Sequence, residues 1–138
     1  MKPVFVDTAA LIAIGNRRDA YHQRALDINE ELNRSRRKYV TTGAVFLEFG
    51  NAFSQITLKP TAIQIMEAIR HSEKWRYIEI DEELMQKGYD LYTRMNDKEW
   101  GLIDCTSIVI SRNLGITEIF TTDHHFEQAG FSILLRED

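Results

Sequence analysis

The sequence predicts an α/β protein with helices packed on a parallel sheet. Three observations carry this expectation. Short apolar runs alternate with helix-patterned segments along the whole chain. The first run, Val4-Phe5-Val6, is continuous and β-favouring, as a strand buried on both faces is. It ends at a carboxylate, Asp7, directly before an Ala/Leu/Ile segment of helical character. That order puts an acid at the carboxyl edge of the sheet, where open α/β sheets hold their ligands.

The elements follow in order. Ala9 to Ile14 reads as a short helix stopped by Gly15-Asn16. Arg17-Arg18-Asp19 is a turn with Asp19 as N-cap, and the next helix runs from Ala20 to Ser35 on a stripe of Ala25, Ile28 and Leu32. A second strand covers Lys38 to Thr41. From Thr42-Gly43 a third helix carries Val45, Phe46, Phe49, Ala52, Phe53 and Ile56 on its apolar side, with Glu48 in the middle. Lys59-Pro60 breaks it and starts a fourth, bearing Ile63, Ile65, Met66 and Ile69 and ending near Glu73. Tyr77 to Ile80 is the third strand. Asp81 caps a helix with Leu84, Met85, Tyr89, Leu91 and Tyr92 as its apolar residues. Met95 to Gly101 is a loop holding Asp97 and Trp100. Leu102 opens a helix with Ile108, Val109 and Ile110 inside, closing at Asn113 to Gly115. Glu118 to Thr121 is the fourth strand, followed by Thr122-Asp123 and a short helix over His124 to Ala129. Gly130 turns the chain into a last strand, Phe131 to Leu135.

At 138 residues, with no repeat, linker or low-complexity stretch, the expectation is one domain over 1–138. Hydrophobic content of 43% and charged content of 28% are ordinary for a globular protein. No segment approaches the roughly 20 apolar residues of a membrane helix, so no membrane association is expected. The N-terminus has no h-region of a signal peptide, and a single Cys forms no internal disulfide, so the expected location is cytoplasmic. The net charge of −4 gives no compositional support for nucleic-acid binding. A polyanionic substrate would need a local reversal of sign, by a divalent cation or by the cluster Arg34, Arg36, Arg37 and Lys38. That cluster reads equally as a solvated helix end, with cations near the negative pole of the dipole.

Two strands end alike, Val6-Asp7 and Thr122-Asp123, so two carboxylates project from one edge and face each other if the strands are neighbours. Asp104 opens the helix leading back to the Asp123 strand. Glu48 lies among Phe46, Leu47, Phe49 and Ala52, where a solvent-facing acid is less expected. Taken singly, Asp7, Asp104 and Asp123 read as helix caps and Glu48 as a surface residue. Together they form a like-charge cluster that raises its own pKa values. A hard divalent cation, Mg2+ or Mn2+, relieves it and leaves positions open for phosphate oxygens, the arrangement used in phosphodiester hydrolysis.

Four segments resemble the PIN domain, and within it the free-standing VapC-like toxins. They are Val4-Phe5-Val6-Asp7-Thr8, Leu47-Glu48-Phe49-Gly50-Asn51-Ala52, Gly101-Leu102-Ile103-Asp104-Cys105 and Thr121-Thr122-Asp123-His124-His125-Phe126. The resemblance implies a three-layer sandwich with a central five-stranded parallel sheet flanked by helices. It implies an Mg2+- or Mn2+-dependent ribonuclease with Asp7, Glu48, Asp104 and Asp123 as its acidic set. Thr8 and Thr121 match hydroxyl positions beside that set, and Asp97 an extra acid found in part of the family. The implied partners are an RNA substrate, a cognate antitoxin of a type II toxin–antitoxin pair, and a second copy in a homodimer. Ala9 departs from the pattern, since many members carry Ser or Asn there.

Other residues have plainer readings. Cys105 reads as a small buried residue. His124 and His125 read as acid/base groups, as a helix cap, or as phosphate contacts. Trp100 and Phe126 read as base-stacking platforms or as packing that ties a loop to the domain. A receiver-type signalling module is disfavoured: Asp7 stands alone after the first strand, and no Lys ends the Thr121 or Leu135 strand. The remaining alternative to a nuclease is a non-catalytic PIN-like scaffold that binds RNA or protein.

Overall fold

The computed structural model describes residues 1–136. The chain runs β1 (Val4–Val6), α1 (Thr8–Gly15), α2 (His22–Arg34), β2 (Tyr39–Thr42), α3 (Gly43–Ala52), α4 (Lys59–His71), β3 (Trp75–Ile78), α5 (Glu82–Arg94), α6 (Leu102–Asn113), β4 (Glu118–Phe120), α7 (His125–Gln128) and β5 (Ser132–Ile133). All five strands pair in parallel, in the order β3-β2-β1-β4-β5. The expected α/β sandwich with a five-stranded parallel sheet is therefore the observed fold.

β1 is central, and its three residues are fully buried. Each such side chain contributes about 1.5–3 kcal/mol by leaving water, which is why a strand of three residues suffices here. The chain builds outward from β1 to β2 and β3, then crosses back to lay β4 on the other side of β1. Right-handed crossovers in those two directions put α1–α4 on one face and α5–α6 on the other. The reversal leaves a crevice between the carboxyl ends of β1 and β4, whose register pairs Val6 with Phe120.

The amino edge is closed differently. Arg36 takes a positive φ of 57° just past α2, and the amide of Arg37 donates back to the Leu32 carbonyl at 3.0 Å. Arg37 then reaches across the sheet, donating to the Lys2 carbonyl and to Glu118 Oε1 at 2.8 Å. Arg34 pairs with Glu30 within α2. The basic cluster is thus a helix end and a strand clamp at the edge opposite to Asp7 and Asp123.

Several expected boundaries move. Asp19 Oδ1 accepts from the Tyr21 amide at 2.8 Å, forming a turn, and α2 begins at His22 rather than Ala20. β3 is Trp75–Ile78 rather than Tyr77–Ile80, because Trp75 pairs with Tyr39 and their rings stack at 4.6 Å. α3 ends at Ala52; Phe53 is its buried C-cap, and Ile56 is 88% exposed rather than part of the apolar side. Ile63, Met85, Tyr89 and Tyr92 are exposed as well, and α5 seats itself through Leu84, Gly88 and Leu91. Asp81 caps α5 as expected, accepting from the Leu84 amide at 2.8 Å.

Gly88 sets the distance between α5 and α6. A Cβ there would lie 2.6 Å from Thr106 Cγ2 and 3.4 Å from Thr106 Cα, two residues beyond Asp104. Gly88→Val is expected to lower stability by about 1–3 kcal/mol through overpacking. At Gly50, nothing lies within 4 Å of the corresponding position, and Gly50→Ala is expected to be neutral or stabilising by up to about 1 kcal/mol. Urea denaturation of the two variants checks the contrast.

Candidate active site

The crevice between β1 and β4 gathers the acids from four elements. Asp7 follows β1 at the N-cap of α1, yet its side chain makes no capping bond to that helix. Its Oδ2 instead accepts from Thr121 Oγ1 at 2.8 Å, across the seam between β1 and β4. The same Thr121 oxygen accepts from the Asp123 amide at 3.1 Å. One buried hydroxyl therefore fixes the first and last acids of the set relative to each other. Asp123 Oδ1 accepts from the His125 amide at 2.9 Å, so its carboxylate is oriented by the turn into α7.

Asp104 sits in the first turn of α6, where Oδ2 accepts from the Gly101 amide at 3.0 Å. The capping reading and the site reading both hold: the bond that closes the helix start also aims the carboxylate. Glu48 is exposed on α3, contrary to the expectation from its apolar neighbours; Leu47 beside it is 73% exposed. From α3 the Glu48 charge bears on both Asp7 and Asp104.

Electrostatics ties the four together. Burial pushes the Asp7 carboxyl up to about 7 from an ordinary 3.8. The hydrogen bond from the Thr121 hydroxyl and the adjacent Thr8 amide dipole oppose the rise, and the Asp104 and Glu48 charges add to it. Asp104 is also raised, first by burial; the Gly101 amide lowers it, Asp123 raises it, His125 lowers it and Glu48 raises it. Asp104 thus feels Asp123 and Glu48, and Asp7 feels Asp104 and Glu48. Among these causes no Lys or Arg appears, and His125 is the one base.

Of the lesser candidates, Thr121 is integral to the site. Thr8 is buried beside Asp7 with an Oγ1 that has no hydrogen-bond partner. Asp97 is not drawn in: it is exposed and pairs with Lys98 at 3.5 Å. Trp100 and Phe126 are buried, and Trp100 Nε1 donates to Gln128 Oε1 at 2.9 Å, so both tie the α5–α6 loop and α7 to the domain. Cys105 is buried, and burial together with the Asp104 carboxylate pushes its thiol pKa up. Sequence reasoning gave no specific place to His125, whose Nδ1 lies 3.1 Å from Asp123 Oδ1 and 3.8 Å from Asp104 Oδ2. The only signal was its position two residues after a strand-end acid.

A doubly wound parallel sheet with carboxylates converging on its switch point defines an acid-centred α/β domain. Within that class the chain belongs to the PIN domain family, whose model matches residues 4–132. It is 28% identical over 130 residues to the 23S rRNA-specific endonuclease VapC20 of Mycobacterium tuberculosis strains CDC 1551 and H37Rv. The match covers 93% of this chain and 95% of that protein. The crystal structure of M. tuberculosis VapC20, described as a sarcin–ricin loop cleaving toxin, superposes with a TM-score of 0.79 at 27% identity, over 93% of this chain and 95% of the other. FitAcB from Neisseria gonorrhoeae shares the fold, with a TM-score of 0.67 at 12% identity over 94% and 95% of the two chains.

The raised Asp7 pKa has a stability consequence of definite sign. The folded state holds the Asp7 proton more tightly than the unfolded state. Its contribution is therefore fully present below about pH 4 and is lost as pH rises through about 7. Over that span it amounts to roughly 4 kcal/mol. In EDTA, Asp7→Asn is expected to be more stable than wild type at pH 8, with the gap shrinking toward pH 4. Urea midpoints at pH 4, 6 and 8 measure it; a gap independent of pH contradicts the burial of a titrating Asp7.

Proposed function

We propose that the chain is a divalent-metal-dependent endoribonuclease, hydrolysing RNA phosphodiester bonds, and the toxin of a type II toxin–antitoxin pair. The observation that carries this reading is the convergence of Asp7, Glu48, Asp104 and Asp123 at the β1/β4 switch point, where burial and neighbouring acids raise both Asp7 and Asp104. Such a set is under electrostatic stress that a cation relieves. An oxygen-rich donor set suits a hard ion, Mg2+ or Mn2+, and the orphaned Thr8 hydroxyl is a further oxygen beside Asp7.

In this reading Asp7, Asp104 and Asp123 hold the ion directly or through water, and Glu48 completes the shell or orients the attacking water. The ion, when bound, offsets phosphate charge and makes hydroxide available near neutral pH. Thr121 keeps Asp7 and Asp123 at a fixed separation. The amides of Gly101 and His125 keep Asp104 and Asp123 aimed into the crevice. No side chain need form a covalent intermediate.

The relation to VapC20, a 23S rRNA-specific endonuclease, supports ribosomal RNA as the first substrate to try. A restraining antitoxin and a homodimer are part of the proposal. The protein surface has apolar side chains for such partners, with Met85, Tyr89 and Tyr92 exposed on α5 and Ile63 on α4. Among the described residues no helix is long and apolar enough to cross a membrane, which is compatible with the cytoplasmic site of action proposed here.

The test is cleavage of purified total RNA with Mg2+, Mn2+ or EDTA, by wild type and by Asp7→Asn. Discrete fragments are expected only with metal, and Asp7→Asn is expected to cut at least about 100-fold more slowly. Mapping the fragment ends identifies the target. Calorimetry with Mn2+ separates the failures. Binding without cleavage points to a different RNA, whereas no binding leaves a non-catalytic RNA- or protein-binding scaffold.

A further inference from the structure

His125 is the side chain at the crevice that the four-acid reading leaves without a task. It opens α7, with its ring 4.6 Å from that of His124. Its Nδ1 is buried and makes no hydrogen bond, although Asp123 Oδ1 is only 3.1 Å away and Asp104 Oδ2 is 3.8 Å away. An enclosed polar nitrogen without a partner is costly. At 3.1 Å the shortfall is one of direction: the Asp123 oxygen stands to the side of the nitrogen's lone-pair axis.

That sideways placement is what two donors to a common centre require. Neighbouring donors in an octahedral shell of radius about 2.1 Å stand about 3.0 Å apart, close to the observed separation of Nδ1 and Asp123 Oδ1. Asp104 Oδ2 lies farther off, at 3.8 Å. The backbone enforces the arrangement, since Asp123 Oδ1 also accepts from the His125 amide and the residue's own main chain holds carboxylate and ring together. Ligand atoms of Asp123, His124 and His125 all lie within 4.8 Å of one another, but His124 is exposed.

We propose that His125 Nδ1 is a direct ligand of the divalent cation, beside Asp104 and Asp123, so that the centre is a mixed nitrogen–oxygen site that favours Mn2+ over Mg2+. This rests on the metal-dependent reading above and deepens it. Mn2+ is the weakest of the first-row transition ions towards nitrogen but still accepts an imidazole more readily than Mg2+, which keeps to oxygen and water. An all-carboxylate centre would discriminate less between the two ions.

The probe is Mn2+ alone, on the full chain. Electron spin-echo modulation of the Mn2+-loaded wild type is expected to show directly bound nitrogen, with the coupling changed by 15N-histidine labelling. The signal is expected to vanish in His125→Gln and persist in His124→Gln. By calorimetry, His125→Gln is expected to weaken Mn2+ binding by about tenfold or more while leaving Mg2+ binding within about threefold. Mn2+ bound by the wild type without nitrogen coupling overturns the ligand and leaves the metal site standing. A coupling that survives in His125→Gln, or is lost only in His124→Gln, overturns it also. Absence of Mn2+ binding to the wild type overturns both readings. If His125→Gln fails to fold, a labelled nitrogen coupling that persists in His124→Gln supports the ligand, and one that is lost there overturns it.

Discussion

The hydrogen bond from Thr121 Oγ1 to Asp7 Oδ2 is the contact on which the crevice depends. It joins the ends of two strands that are 114 residues apart in sequence and adjacent in the sheet. It also holds a buried carboxylate where burial alone would favour its neutral form. Because the same hydroxyl receives the Asp123 amide, one threonine sets two acids at once. Everything else at the site is arranged around that fixed pair: α6 brings Asp104 and α3 brings Glu48.

This arrangement runs against folding stability. Like charges converge, Asp7 is almost wholly buried, and Thr8 and His125 each leave a polar atom without a hydrogen bond. A protein selected for stability alone would replace such a cluster with apolar side chains. The sheet tolerates it because β1 and its neighbours are so thoroughly buried that the crevice is held by the core beneath it. Strain of this kind at a switch point is the usual mark of a site built to receive a ligand.

Much of this was legible in the sequence, and the reason is physical. Val4-Phe5-Val6-Asp7 and Ile119-Phe120-Thr121-Thr122-Asp123 are short enough that burial on both faces and the terminal acid leave little freedom of interpretation. The capping by Asp81 and the start of α4 at Lys59-Pro60 depend only on local chemistry and came out as expected, whereas α3 stops at Ala52, well before the proline. What was not legible depends on partners. The register that draws β3 back to Trp75 is set by its stack on Tyr39. The exposure of Ile56, Met85 and Tyr89 reflects where the helical layer stops, which apolar periodicity does not encode. Glu48 sits among apolar residues in sequence, but helical rotation turns it outward. His125 acquires its position from a turn involving two side chains and one amide, a geometry with no sequence period.

The amino edge of the sheet gives the molecule a polarity that its net charge conceals. Lys2, Lys38 and Lys74 precede β1, β2 and β3, and Arg34, Arg36 and Arg37 crowd the same rim. Asp7, Asp81 and Asp123 follow β1, β3 and β4 at the other end. β1 and β3 thus carry a base at the amino end and an acid at the carboxyl end, while Arg34 and Arg37 are paired with Glu30 and Glu118. Carboxylates gathered at one rim raise the local concentration of small cations there. The ionic strength of the medium governs how far that enrichment extends from the rim.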